Sequence, residues 1–320
     1  MKNALLVYNE DQHTYNIGDY VQSLAAEQYF PCIDLYLNRE KLAGYNGESA
    51  KLIMNGWFTH QPDNWAPSRS INPLFISFHI NSSASVRMLS SEGVAYLRRN
   101  APIGCRDWAT VRLLKAKGVD AYFSGCLTLT IKRPKNISPE GKIVIVDPFF
   151  DYPSAKQVFA STRTALRGFI KGDVFSLMKR RRTLEKIFSP ELISSAENIT
   201  HIYSAGTQSH DEKFDAARRL LVKYANARLV ITSRIHCALP CLAMGVPVIF
   251  LNSFTRPIDT CRFEGIIDLF NRVDVTADGD ISNNFKHVGM IGTDINIVNP
   301  DRHHELAVKL REAATRFVQA

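Results

Sequence analysis

Short apolar runs alternate with amphipathic stretches along most of the chain, the pattern of strands and helices laid down in turn. Ala4–Tyr8 reads as a buried strand, followed by a turn at Asn16-Ile17-Gly18-Asp19 and a helix from about Tyr20 to Tyr29. Lys51–Met54 and Leu74–Phe78 are further strands, ending at Asn55-Gly56-Trp57-Phe58 and at His79-Ile80-Asn81. Val86–Arg99 has helical spacing, and Pro102–Asp107 is a strand feeding a helix that stops at Lys117-Gly118. Ala121–Ser124 then runs into Gly125-Cys126. The pattern resumes with a strand at Lys142–Val146 and basic helical sequence to about Phe188. After it come a strand at Ile202–Ser204 and a helix near Asp211–Tyr224. Two apolar strands, Ala227–Ile231 and Val248–Leu251, flank a small-residue helix, and helices are predicted at Phe263–Phe270 and Arg302–Val318.

This alternation predicts an α/β protein with parallel sheets. At 320 residues the chain exceeds one ordinary core. The polar, proline-bearing stretch Lys132–Gly141 is the natural linker, dividing residues 1–137 from 138–320. The final helix is expected to pack back onto the first half. No internal sequence repeat and no low-complexity tract interrupts the pattern.

Charge narrows the partners. A net charge of +8 favours anionic ligands or surfaces. The densest basic run is Lys179-Arg180-Arg181-Arg182, with Arg163, Arg167 and Lys171 upstream at four-residue spacing. It suits a solvated face, a pyrophosphate-bearing acceptor or peripheral contact with an anionic membrane. It lacks interleaved aromatics, which argues against nucleic acid. Ile235–Phe254 carries no charge other than its histidine, but Pro240, Gly245 and Pro247 break it into helix, turn and strand rather than a membrane span. The opening apolar run is too short for a secretory signal. Six cysteines (Cys32, Cys105, Cys126, Cys237, Cys241 and Cys261) form no CxxC pair, which reads as a reducing, cytoplasmic setting without a metal site.

The densest chemistry is Thr232-Ser233-Arg234-Ile235-His236, between a strand and a helix. The carboxyl ends of parallel strands are where α/β sheets hold ligands, and a helix N-terminus favours an anion. Arginine offers a fixed fork for phosphate or carboxylate, and histidine exchanges a proton near neutrality. A structural Arg–carboxylate pair beside a half-buried histidine is the plainer alternative. Arg106, in Gly104-Cys105-Arg106-Asp107, repeats the arrangement in the first half, unless the segment merely caps the next helix. Asn16-x-Gly18-Asp19 places a glycine and polar groups at a helix start, although Asp19 could simply be its cap. It matches neither GxGxxG nor GxxxxGK[ST]. His79 and Asn81 form a polar strand end suited to sugar hydroxyls, with His79 equally readable as a buried, satisfied histidine. Trp57 and Trp108 could stack on a sugar or pack a domain seam.

Taken together, Asn16-x-Gly18-Asp19, Arg106-Asp107 before Thr110, Gly118-Val119 with Ser124-Gly125-Cys126, and Ser233-Arg234-Ile235-His236 followed by Ala243-Met244-Gly245-Val246-Pro247-Val248 resemble the polysaccharide pyruvyl transferase family. The resemblance implies two Rossmann-like domains facing across a cleft, as in GT-B glycosyltransferases. It implies pyruvyl transfer from phosphoenolpyruvate to a sugar diol of a polysaccharide or lipid-linked precursor, with no cofactor or metal, giving a ketal and phosphate. His236, Arg234 and Arg106 become the catalytic candidates. Asn16, Gly18, Asp19, Gly56, His79, Asn81, Ser124, Gly125 and Ser233 become substrate-binding candidates. Pro240 is expected in the first turn of the helix that follows His236. A nucleotide-sugar glycosyltransferase of the same architecture and a non-catalytic binder of anionic glycans are the rival readings.

Overall fold

The computed structural model describes residues 1–8, 13–135, 137, 141–150, 159, 161–253 and 260–320. Apolar runs such as Ile143-Val144-Ile145-Val146, buried at every position, become sheet strands covered on both faces. The first half supplies β1 (Lys2–Val7), β2 (Thr14–Asn16), β3 (Leu35–Asn38), β4 (Ala50–Phe58), β5 (Ile71–Ile80), β6 (Ile103–Cys105) and β7 (Ala121–Phe123). The second supplies β8 (Ile143–Val146), β9 (Glu197–Ile199), β10 (Ile202–Ser204), β11 (Leu229–Thr232), β12 (Val248–Ser253), β13 (Asn271–Val275) and β14 (Ile281–Asn283).

Two six-stranded sheets result, ordered β3-β1-β4-β5-β6-β7 and β9-β8-β11-β12-β13-β14. All their pairings are parallel except β13 with β14. The orders are the same when each sheet's strands are counted from its own start. In both, the chain goes outward on one side of the first strand and then returns to its other side. That reversal opens a crevice at the carboxyl ends, between β1 and β4 in one sheet and between β8 and β11 in the other.

Several connections bind the halves, and three show how. β2 and β10 pair antiparallel, with Tyr15 opposite Tyr203. The helix Ile17–Glu27 packs against the helix His210–Asn226. The helix His303–Gln319 packs on β5 and on the 3-10 turn Leu127–Thr130, and Lys51 Nζ donates to the Val318 carbonyl at 2.9 Å. One apolar core therefore runs through both halves, from Leu5 and Phe78 to Phe214 and Leu310, with a smaller cluster on the second sheet around Ile145, Phe188 and Ile249. Among the described residues no helix is long and apolar enough to cross a membrane.

Several boundaries differ from the sequence reading. β4 does not stop at Met54; it continues through a register shift between Met54 and Gly56, where Gly56 takes φ 112°. Only glycine takes that conformation at no steric cost, and the kink re-aims Trp57. The first helix starts at Ile17, because Asn16 rather than Asp19 accepts the Gly18 amide at 3.1 Å. Ser90 caps a second start within Val86–Arg99, so that stretch divides into Ser85–Met88 and Ser91–Arg99. Phe263–Phe270 folds as part of two 3-10 turns, Thr260–Phe263 and Ile267–Leu269, rather than a helix. Pro240 lies inside the helix Ile235–Ala243, beyond its first turn, where it supplies no amide to the His236 carbonyl one turn back.

Candidate active site

A cavity of about 330 Å³ lies between the halves, walled by strand ends and helix starts from both. Arg106 at the end of β6 and His236 in the first turn of Ile235–Ala243 both line it. Asn16 and Asp19, at the start of the first helix, and Asn81, just past β5, line it too. The first turns of Ile17–Glu27 and Ile235–Ala243 thus meet there, and the second receives no side-chain cap. A helix start carries about half a positive charge, so both favour an anion in the cavity, although the Ile17 and Gly18 amides of the first are taken up by the His201 carbonyl and Asn16 Oδ1.

Arginines strengthen that field. Arg106 is 1% exposed, and its Nε has no hydrogen-bond partner among the described residues; the nearest carboxylate oxygen, on Asp107, is 4.0 Å away. A cation buried so incompletely paired costs stability unless something anionic completes it. Asp107 is committed elsewhere: it accepts the Thr110 amide at 2.8 Å and contacts His79 Nδ1 at 2.6 Å. Its burial would raise the carboxyl, but the His79 hydrogen bond and neighbouring charges hold it below the usual range.

Two titratable groups on the wall, His236 and Asp19, are shifted in opposite directions. Burial, followed by Arg106, Arg262, His201 and Arg234, holds the His236 imidazole well below its ordinary value, and its Nε2 has no hydrogen-bond partner among the described residues. Its ring is neutral near pH 7. Burial also raises the Asp19 carboxyl despite the opposing pull of Arg39, His60, Arg262 and Arg106. A neutral imidazole and a carboxyl of raised pKa beside several guanidinium groups form a set able to move protons around a bound anion.

Arg234 does not share the cavity wall. Its Nε donates to Asp147 Oδ2 at 2.9 Å and its guanidinium lies 4.8 Å from the Phe150 ring centre, while its charge still bears on His236. Asp147 caps β8 at the second crevice and also accepts the His201 amide at 2.9 Å. Arg234 and the His201 amide thus meet on the same carboxylate at the second crevice. Ser233 Oγ accepts the Phe149 amide at 2.7 Å, a loop-holding contact.

Other expected positions sit beneath or away from the cavity. His79 is fully buried behind Arg106, with burial and Arg106 lowering its pKa. Ser124 accepts the Ser77 amide and donates to the Cys105 carbonyl, joining strands off the cavity wall. A Cβ on Gly125 would stand 3.3 Å from Leu306 Cδ1, so this turn seats the C-terminal helix. Gly56 crowds the Gln22 amide, at 2.8 Å from a would-be Cβ. Gly18 serves the site indirectly, by letting the first helix approach His236. Trp108 stacks on Phe123 at 5.0 Å, away from the cavity.

Sequence reasoning missed Arg39, His60 and Arg262, all on the cavity wall. Arg39 directly follows β3, the same strand-end logic that singled out Arg106. It is 4% exposed, held between the Tyr8 and Trp57 rings at 4.8 and 4.7 Å, with Glu40 Oε1 at 2.9 Å from its Nε. Trp57 also meets the His60 ring at 4.3 Å. Arg262 follows no strand directly and had no local signal; its guanidinium lies 5.3 Å from the Phe150 ring centre. Among the described residues no group of three His, Cys, Asp or Glu stands together as metal ligands.

No curated protein matches the chain at a significant level. The family model for polysaccharide pyruvyl transferase matches residues 16–253, a span that runs from the Asn16 cap through Arg106 and His236 to the end of β12. With that match across most of its length, the chain belongs to the polysaccharide pyruvyl transferase family.

Proposed function

We propose that the cavity binds phosphoenolpyruvate and transfers its three-carbon unit to two hydroxyls of a saccharide, closing a cyclic ketal and releasing phosphate. Family membership supports pyruvyl transfer to a polysaccharide acceptor. The observation that carries the finer reading is the shared cavity: Arg106 from one sheet and His236 from the other wall the same space. Phosphoenolpyruvate carries a phosphate and a carboxylate, and Arg106, Arg262 and two helix starts supply complementary charge for both. Trp57, braced by Arg39 and His60, offers an apolar face for the acceptor ring.

In this scheme a proton reaches the methylene carbon, and Asp19, with its raised carboxyl, is the donor at hand. The adjacent carbon becomes oxocarbenium-like and one sugar hydroxyl adds to it, losing its proton to neutral His236. The C–O bond to phosphate then breaks, the imidazolium and guanidinium groups stabilise the departing charge, and the second hydroxyl closes the ring. One hydroxyl proton replaces the proton given to carbon and the other leaves with phosphate, so the exchange balances. A positioned histidine of this kind is worth about 10²–10⁴-fold. The division at residues 1–137 and 138–320 gives two GT-B-like lobes, and their matching strand orders support that reading. This scheme requires no cofactor.

The test is incubation with phosphoenolpyruvate and a panel of lipid-linked and free saccharides, measuring phosphate and the mass of the saccharide product. Ketal product formed with matching phosphate supports the reading. Turnover of a nucleotide sugar in the absence of phosphoenolpyruvate would replace it with glycosyl transfer, and binding of saccharide without turnover of either donor would leave a glycan-binding protein.

A further inference from the structure

The greatest concentration of charge lies outside the cavity, between β8 and β9. There the helices Thr162–Ile170 and Asp173–Ile187 pack as a hairpin, turning at Gly172 with φ 76°. From residue 161 to 187, eight Lys or Arg stand against two Asp or Glu, so the hairpin holds +6 of the chain's +8. Its turn is apolar and open. Phe169 is 61% exposed, Ile170 77% and Phe175 65%, and the two phenylalanine rings lie 6.3 Å apart. Leu166 continues the crest on the first helix and Met178 on the second, both exposed. Lys171 and Arg182 are exposed as well.

Exposed phenylalanines joined to a strongly basic face need an occupant that is apolar within and anionic at its surface. A second copy would set +6 against +6 at close range, an unfavourable pairing. The helices, of 9 and 15 residues, are shorter than the roughly 20 needed to cross a bilayer, so the element can lie on a membrane and not through it. We infer that this hairpin docks the protein on an anionic lipid surface, with Phe169, Ile170 and Phe175 entering the headgroup boundary and the surrounding lysines and arginines meeting lipid phosphates. The inference goes beyond the transfer reading and stands without it.

Co-flotation of the full chain with vesicles tests it. Binding is expected to phosphatidylcholine mixed with phosphatidylglycerol, weakening as salt rises, and not to phosphatidylcholine alone. Phe169→Glu with Phe175→Glu should lower partitioning roughly ten-fold or more. Lys171→Gln with Arg182→Gln should lower it roughly 25-fold, at about 5-fold per neutralised cation. Circular dichroism establishes that both variants are folded. Equal binding to neutral vesicles, or undiminished binding by the phenylalanine variant, overturns the inference. So does a wild-type dimer that ignores vesicles and dissociates in that variant, which assigns the crest to self-association. Phosphate release from phosphoenolpyruvate with a soluble saccharide, read separately, should be unchanged in both variants. Its absence in the wild type as well would sink the transfer reading and leave the docking result untouched.

Discussion

Gly18 backs onto His236: a Cβ added at Gly18 would stand 3.2 Å from His236 Cβ, and equally close to Asn16 Oδ1 and His201 Nδ1. The start of the first helix thus sets how deeply the histidine of the second half sits. Gly18→Ala removes a flexible residue from a helix, a gain of up to about 1 kcal/mol, while pushing three neighbours by a few tenths of an ångström. Thermal stability should change by less than about 1 kcal/mol, yet turnover should fall roughly ten-fold, since catalysis is sensitive to small displacements. Full activity in this variant, measured with melting temperature alongside, would mean that the contact does not set the histidine's position.

Arg106 separates function from stability more sharply. Its incompletely paired guanidinium opposes both protonation of His236 and burial itself. Arg106→Gln should cut turnover roughly 10²–10³-fold with melting temperature unchanged or raised. Arg106→Lys should not restore activity, because a point charge cannot replace a two-pronged donor. A marked loss of stability in the glutamine variant would make Arg106 a structural ion instead.

His236 also predicts how stability depends on pH. Its folded pKa lies well below the ordinary 6.5, so below about pH 6.5 the unfolded chain takes up a proton that the folded chain refuses. The resulting stability is complete above that pH and is lost as pH falls. His60 and His79 are lowered as well and act in the same direction. Melting temperature should therefore drop between about pH 7 and pH 5, and His236→Gln should make the drop shallower. A parallel fall in wild type and variant would count against a neutral buried imidazole.

Asp147 and Arg234 form a pair whose two members should fail differently. Asp147→Asn leaves Arg234 partly buried without its carboxylate and should cost about 1–3 kcal/mol. If Arg234 only braces the second crevice, Arg234→Gln and Asp147→Asn should lower turnover alike, with similar Michaelis constants for phosphoenolpyruvate. A Michaelis constant raised at least ten-fold in the arginine variant alone would place Arg234 on the donor after all.

The chain's local periodicity was enough to predict parallel α/β sheets, because short runs rich in β-branched residues such as Ile143–Val146 and Leu229–Thr232, set between amphipathic stretches, suit strands covered on both faces. It also brought out Arg106, Asn81, Asp19 and His236, since each sits within a few residues of a strand end or at a helix start, and that position is written in the neighbouring residues. Direction and partnership were not. Arg39 follows a strand just as Arg106 does, but nothing nearby in sequence announces that Tyr8 and Trp57 will enclose it. Arg234 looked equivalent to Arg106 until Asp147, 87 positions away, claimed it. Ser124 and Gly125 lie in a motif-like turn, yet strand pairing and Leu306 occupy them. Sequence by itself determined the elements and which of their ends carry chemistry, because backbone preference and burial pattern act over a few residues. Tertiary structure alone decided which of those ends share a cavity and which cations stay incompletely paired, because that depends on long-range packing that desolvates some charges and delivers carboxylates to others.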